Sequence, residues 1–154
     1  QAAALICLDM DLSVDAGFIP DALDLLRTHA MVIGSKQSGS QSRSFPRLAG
    51  SALFIGCART LLRLPYDDYS LGAKGYRLDR IAPYLTDLHD DTNYVLDIVH
   101  RCHHGGLPVA VVPVACRDWR KSRFRLLREA LLRFSHLFAV CYRQLRKQTG
   151  RVQD

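Results

Sequence analysis

Aromatic residues make up only 8% of this 154-residue chain, and tryptophan occurs once. Because proteins hold single-stranded nucleic acids largely by stacking bases on aromatic side chains, this scarcity argues against a nucleic-acid partner. The chain also lacks a Cys-x-x-Cys motif, and its five cysteines are typical of a reducing compartment rather than a disulfide framework. No stretch reaches about 18 uncharged apolar residues, so we expect no membrane-spanning helix.

The apolar and charged fractions of the chain are typical of one globular domain. Apolar residues make up 48% of the chain and charged residues 23%, which is enough apolar material for a core. The net charge of +6 favours an anionic partner such as a phosphate group or a membrane surface.

Short apolar runs alternate with helical segments along the chain. Strands are predicted at residues 2–8, 30–33, 72–76 and 107–112, with helices between them and a last helix over 122–147. Strands that alternate with helices predict an α/β fold with a mostly parallel sheet flanked by helices.

Two carboxylates one residue apart, Asp9 and Asp11, end the first predicted strand. Open α/β sheets bind ligands at the carboxyl ends of their strands, and oxygen ligands suit a hard divalent cation that also holds a diphosphate. The Asp-x-Asp pattern therefore indicates nucleotide-sugar chemistry, with an ordinary Asp turn as the simpler alternative.

Five short motifs follow one another in a characteristic order. They are 8–13 (LDMDLS), 32–36 (VIGSK), 47–51 (RLAGS), 68–76 (DYSLGAKGY) and 117–124 (RDWRKSRF). Together they resemble the second half of a GT-A glycosyltransferase domain of family 2, and most of all the polyprenyl-phosphate glycosyltransferases. The resemblance runs from residue 5 to about residue 134.

The resemblance implies a metal site and two catalytic carboxylates. Asp9, Asp11 and Ser13 would hold Mg²⁺ or Mn²⁺ against the diphosphate of a nucleotide sugar, and Asp11 and Asp68 would be the catalytic residues. The substrate-binding residues that it implies are Lys36, Arg47, Ser51, Arg117, Ser122 and Arg123. Lys36 stands where the family has Arg, and the first three of these six would hold an acceptor phosphate.

The activity that the resemblance implies is transfer of a hexose from a GDP-mannose or UDP-glucose type donor to a polyprenyl phosphate. A family 2 transferase with a glycan or protein-linked acceptor is one alternative, and a non-enzymatic basic module that binds membrane or nucleic acid is another. Residues 1–121 would be the C-terminal half of the catalytic domain, 122–147 an amphipathic helix and 148–154 a tail. Because the chain begins inside a core strand without Met, we expect the nucleotide-binding half to be absent and this piece alone to be inactive.

The last predicted helix is amphipathic and basic. Its predicted apolar face consists of Leu127, Ala130, Leu131, Phe134, Phe138, Cys141 and Leu145. Its predicted polar face consists of Arg125, Arg128, Arg133, His136, Arg143, Arg146 and Lys147. Such a helix can pack on the domain, or it can lie in an anionic membrane interface with Phe134 and Phe138 inserted. With the lipid acceptor, the second arrangement predicts a peripheral protein at the cytoplasmic face of a membrane.

Overall fold

The computed structural model describes residues 3–10, 13–39, 41–42, 45–85, 94–117 and 124–150. In chain order the elements are β1 (Ala4–Cys7), α1 (Phe18–Leu25), β2 (Met31–Ser35), β3 (Gln41–Ser42), α2 (Phe45–Leu61), β4 (Lys74–Arg77), α3 (Leu78–Ile81), a 3₁₀ turn (Ala82–Tyr84), α4 (Tyr94–His104), β5 (Val109–Pro113), β6 (Cys116–Arg117) and α5 (Phe124–Gly150). The predicted α/β fold is confirmed.

Four strands form the main sheet, in the spatial order β1-β4-β2-β5. β2 and β5 are parallel, whereas β4 is antiparallel to both β1 and β2. A mostly parallel sheet is therefore not confirmed, since two of these three pairings are antiparallel and the sheet is mixed. The reason is the loop of residues 62–73, which returns the chain to the carboxyl end of β2 before β4 begins. β4 must then run in the opposite direction.

A small parallel pair, β3 with β6, lies beyond the carboxyl end of the main sheet. Val14 forms an isolated bridge to Cys116, the first residue of β6. At Gly39 an added Cβ would overlap the backbone of Val114, so the chain can pass here only without a side chain. The segments that follow β1, β2 and β5 are thus drawn together at one end of the sheet.

The sheet separates two hydrophobic cores, and β2 contributes to both because its side chains alternate between the faces. Met31 and Ile33 join the core that contains residues of α2, α4 and α5. Val32 joins the other core, which is covered by Phe18 and Ala22 of α1. All five residues of β2 are buried, so this strand is the centre of the fold.

α5 packs on the domain through a face that only partly matches the predicted one. Leu137 and Val140 are buried, and the ring of Phe134 meets that of Phe54 on α2 edge to face at 5.5 Å. Phe138 was predicted on the same apolar face, but 56% of it is exposed. None of the helices in the described part of the chain combines the length and the apolar character needed to cross a bilayer.

A buried charged cluster explains why α5 is rotated from the predicted orientation. Asp97 of α4 is 3% exposed. Its Oδ1 lies 3.1 Å from Arg143 Nη2 of α5, and its Oδ2 lies 3.8 Å from His136 Nε2 of the same helix. The prediction that His136 lies on the polar outer face was wrong, since only 7% of this residue is exposed. A buried carboxylate requires such partners, and they turn this side of α5 inward.

Replacing Leu62 by Ala should lower the free energy of unfolding by about 2–5 kcal/mol, because a fully buried leucine would leave a cavity. Leu62 directly follows α2 and is 0% exposed, whereas its neighbour Leu61 is 40% exposed. Leu61→Ala is the matched control and should cost about 0.5 kcal/mol. Urea denaturation measures both, and equal losses would contradict the assignment of these two side chains.

Candidate functional site

The carboxyl ends of β1, β2 and β5 meet at one edge of the sheet, because these three strands run in the same direction. Asp9 follows β1 by two residues, and Lys36 follows β2 directly. The loop 62–73 brings Asp68 and Gly72 to the same edge. Strand ends of this kind are where open α/β sheets bind ligands. The predicted residues Asp9, Lys36 and Asp68 therefore lie at an edge suited to a ligand.

Asp9 is held by the backbone of the loop 62–73. The Gly72 N–H donates a hydrogen bond to Asp9 Oδ2 at 2.9 Å, across the end of the sheet. An added Cβ at Gly72 would lie 2.5 Å from Asp9 Oδ1, which is closer than real Cβ contacts allow. The carboxylate of Asp9 and the glycine are therefore in direct contact, and a side chain at position 72 would displace one of them.

Lys36 and Asp68 form a buried ion pair. They are 3% and 2% exposed, and Lys36 Nζ lies 3.0 Å from Asp68 Oδ2. Lys36 Nζ also donates to Ser70 Oγ at 2.7 Å, and the backbone N–H groups of Ser70 and Leu71 donate to Asp68 Oδ1 at 2.9 and 3.2 Å. Burial alone would raise the pKa of Asp68, but the charges of Lys36 and Lys74 and these hydrogen bonds hold it below its usual value.

Lys74 supplies a second buried amine, at the start of β4. It is 0% exposed, and its Nζ donates to the backbone oxygens of Leu71 at 2.6 Å and Ala73 at 3.3 Å. Burial lowers the pKa of Lys74 to about 8, although the Asp68 carboxylate opposes the decrease. The 68–76 motif drew attention to this lysine, but sequence reasoning assigned it no role in the site.

Ser51, a predicted acceptor residue, is linked to the segment that follows β2. Gln37 Nε2 donates to Ser51 Oγ at 3.2 Å, and the backbone N–H of Gln37 donates to Ser35 Oγ at 3.2 Å. Gln37 was missed at the sequence level. The available signal was its position directly after Lys36, the last residue of the VIGSK motif. The structure thus joins two of the predicted motifs, 32–36 and 47–51, through one side chain.

Other predicted residues are only partly described. Ser13 is buried and precedes Val14, which pairs with Cys116, so the Ser13 segment lies beside the backbone of Arg117. The side chains of Arg47 and Arg117 are outside the description, as are Asp11, Ser122 and Arg123 altogether.

Asp9 offers hard carboxylate oxygens at a strand end, and it is only half-buried, which fits a ligand of Mg²⁺ or Mn²⁺. Within the described ranges, no group of three or more His, Cys, Asp or Glu side chains is arranged to hold a metal ion. The second predicted carboxylate, Asp11, falls outside those ranges. Asp9 thus meets the chemical requirement for one ligand of such an ion.

Replacing Lys74 by Met should change how stability depends on pH. The pKa of Lys74 is about 8 in the folded chain and 10.5 in its ordinary environment. Between these two pH values, the unfolded chain binds more protons than the folded one. The Lys74 contribution to the free energy of unfolding therefore rises with pH across this window, by about 3 kcal/mol in all. Below the window the buried ammonium costs stability, and the variant lacks that cost.

Urea denaturation of both proteins at several pH values measures this difference. Cys7 and Cys102, whose pKa values burial raises, act in the opposite direction at alkaline pH. Because Cys7 interacts electrostatically with Lys74, both profiles are recorded in a Cys7→Ala background, where their difference isolates Lys74. Parallel profiles would contradict a buried amine at this position.

No protein-family model and no curated protein matches this chain.

Proposed function

We propose that this chain belongs to a metal-dependent glycosyltransferase that moves a hexose from a nucleotide diphosphate sugar to a polyprenyl phosphate. The observation that carries the proposal is the meeting of Asp9, Lys36 and Asp68 at one strand edge. Each of the three comes from a different motif of the resemblance. Carboxylates beside buried amines, at the edge where α/β sheets bind ligands, suit a reaction between two phosphate-bearing substrates.

The reaction needs positioning and charge stabilisation more than a strong base. An oxygen of the acceptor phosphate attacks the anomeric carbon of the sugar, the bond from that carbon to the diphosphate oxygen breaks, and its electron pair leaves with the nucleoside diphosphate. The acceptor phosphate is already anionic, so it requires no general base. When bound, Mg²⁺ or Mn²⁺ neutralises the charge that develops on the departing diphosphate.

The donor side of the site uses residues at the ends of β1 and β6. Asp9, with Asp11 and Ser13, would hold the metal ion. Arg117 of β6 lies beside the Ser13 segment, so it could reach the same diphosphate. Ser122 and Arg123 would complete the diphosphate contacts in the segment that follows β6.

The acceptor side uses the end of β2 and the start of α2. Arg47 and Ser51 are four residues apart on α2, so they share one helical face. Lys36 is fixed by Asp68 and Ser70, and the Asp68 carboxylate offsets its charge. The second buried amine, Lys74, therefore supplies the remaining positive charge near the edge where the acceptor phosphate would arrive. Asp68 serves the reaction by holding the Lys36 amine in place.

A surface of α5 favours a lipid-linked acceptor. We define the α5 patch as Leu131, Leu132, Phe138 and Tyr142, which are between 53% and 64% exposed. The exposed Arg128 and Arg146 flank the patch, and the Arg146 guanidinium lies 5.9 Å from the ring centre of Tyr142. Apolar side chains flanked by arginines suit an anionic bilayer surface.

The free state of all five cysteines suits the reducing cytoplasmic side of such a membrane.

Replacing Asp9 by Asn should reduce transfer by about a hundredfold or more, because it removes one charge from the metal ligands. Asp24→Asn is the control, since Asp24 is an exposed carboxylate on α1, far from the strand edge. The assay follows labelled hexose from GDP-mannose or UDP-glucose to a short polyprenyl phosphate, in the full-length natural protein. Transfer that survives Asp9→Asn, or that a chelator leaves unchanged, would refute the metal assignment.

Replacing Phe138 by Asp should release the protein from vesicles that contain phosphatidylserine, with little change in stability. The matched control is Leu23→Asp on α1, because Leu23 is 48% exposed on the opposite side of the sheet. Wild-type binding should fall as salt rises, since each basic residue near the surface contributes about 1 kcal/mol. Equal binding of both variants in a co-sedimentation assay would argue against the α5 patch as the membrane surface.

A further inference from the structure

We propose that Gly72 is a positioning residue for the Asp9 carboxylate, and that it orients this carboxylate toward a bound divalent cation. The proposal rests on the proposed function, in which Asp9 is a metal ligand. Gly72 contributes in two ways. Its backbone N–H donates to Asp9 Oδ2 at 2.9 Å, and its lack of a side chain leaves room for Asp9 Oδ1.

The space at Gly72 is filled by Asp9. An added Cβ would lie 2.5 Å from Asp9 Oδ1, 2.7 Å from Asp9 Cγ and 3.1 Å from the Asp9 backbone nitrogen. The backbone at Gly72 does not lie in the left-handed region, so alanine would not be strained by its own conformation. The three closest contacts of an alanine here would therefore all be with Asp9.

The loop around Gly72 has little freedom to move away. The preceding Leu71 donates its N–H to Asp68 and accepts a hydrogen bond from Lys74 Nζ on its carbonyl oxygen. The following Ala73 is fully buried, and its carbonyl oxygen accepts the Gly34 N–H at 2.9 Å. Shifting Gly72 would break these buried hydrogen bonds, whereas the half-buried Asp9 carboxylate can rotate outward. An alanine at position 72 should thus displace the carboxylate rather than the loop.

A displaced carboxylate would weaken cation binding without any change in the ligands themselves. Groups that orient metal ligands typically change metal affinity by about 10–100-fold when they are removed. Gly72→Ala should therefore weaken Mn²⁺ binding to the 154-residue chain by about tenfold or more. The electron paramagnetic resonance signal of free Mn²⁺ measures this directly and needs no transfer activity.

The control is Gly56→Ala on α2, where an added Cβ would meet nothing within 4 Å. Alanine in a helix interior is favourable, so this variant should bind Mn²⁺ as wild type does and be at least as stable. Circular dichroism confirms that each variant is folded before its Mn²⁺ affinity is measured.

A stability cycle tests the contact independently of the metal. Gly72→Ala should lower the urea midpoint of the wild-type chain. Most of this decrease should disappear in an Asp9→Ala background, where the overlapping carboxylate is gone and the 3.1 Å approach to the Asp9 backbone nitrogen remains. If Gly72→Ala alone fails to fold, the double variant should restore folding. A double variant that is as impaired as Gly72→Ala would overturn the proposal, because the overlap would then involve a group other than the Asp9 carboxylate.

The Mn²⁺ measurements distinguish the role of Gly72 from the existence of the metal site. If wild type binds Mn²⁺ and folded Gly72→Ala binds it equally well, the role of Gly72 is refuted while the metal site stands. If wild type binds no Mn²⁺, the metal of the proposed function is refuted and the role of Gly72 falls with it. A tenfold loss in Gly72→Ala, with none in Gly56→Ala, supports both.

Discussion

The buried ion pair between Lys36 and Asp68 is the contact on which the candidate site most depends. Removing two charges from water is costly, and the cost is offset only when the remaining donors and acceptors are satisfied. Here Asp68 accepts backbone N–H groups of its own loop as well as the Lys36 ammonium. Because Lys36 directly follows β2 while Asp68 lies in the loop 62–73, the pair fixes that loop to the sheet. The position at which Gly72 meets Asp9 follows from this.

Individual residues of the site could be selected from the sequence, but the bonds between them could not. Asp9 stands out because it ends an apolar run, and Lys36 and Asp68 because each lies in a recognisable motif. The burial of Lys36 was not predictable from its neighbours, since lysine is almost never buried unless it is paired. Its partner lies 32 residues further along the chain. The direction of β4 was missed for a similar reason, because it depends on where a long loop returns to the sheet.

The orientation of α5 shows what helical periodicity can and cannot determine. The alternation of apolar and basic residues correctly predicted a long amphipathic helix, which extends over Phe124–Gly150. It did not determine which apolar residues face the core, because Leu137 and Phe138 are neighbours and only one can point inward. The choice is made by Asp97 on α4, whose buried carboxylate draws Arg143 and His136 toward it. Such a contact between distant helices leaves no signal in the pattern of either one.

The mixed order of the sheet has a consequence for the way the chain folds. In the described part of the chain, β1 is hydrogen-bonded to β4 and to no other strand, and Ala4 pairs with Arg77. The pairing of β2 with β5 spans at least as long a stretch of chain, since Met31 pairs with Val109, whereas β2 and β4 are closer in sequence. Contacts between distant residues carry a large loop-closure cost and form slowly. We therefore expect β2 and β4 to pair first, so that the sheet edge acquires Asp9 only when β1 later docks on β4.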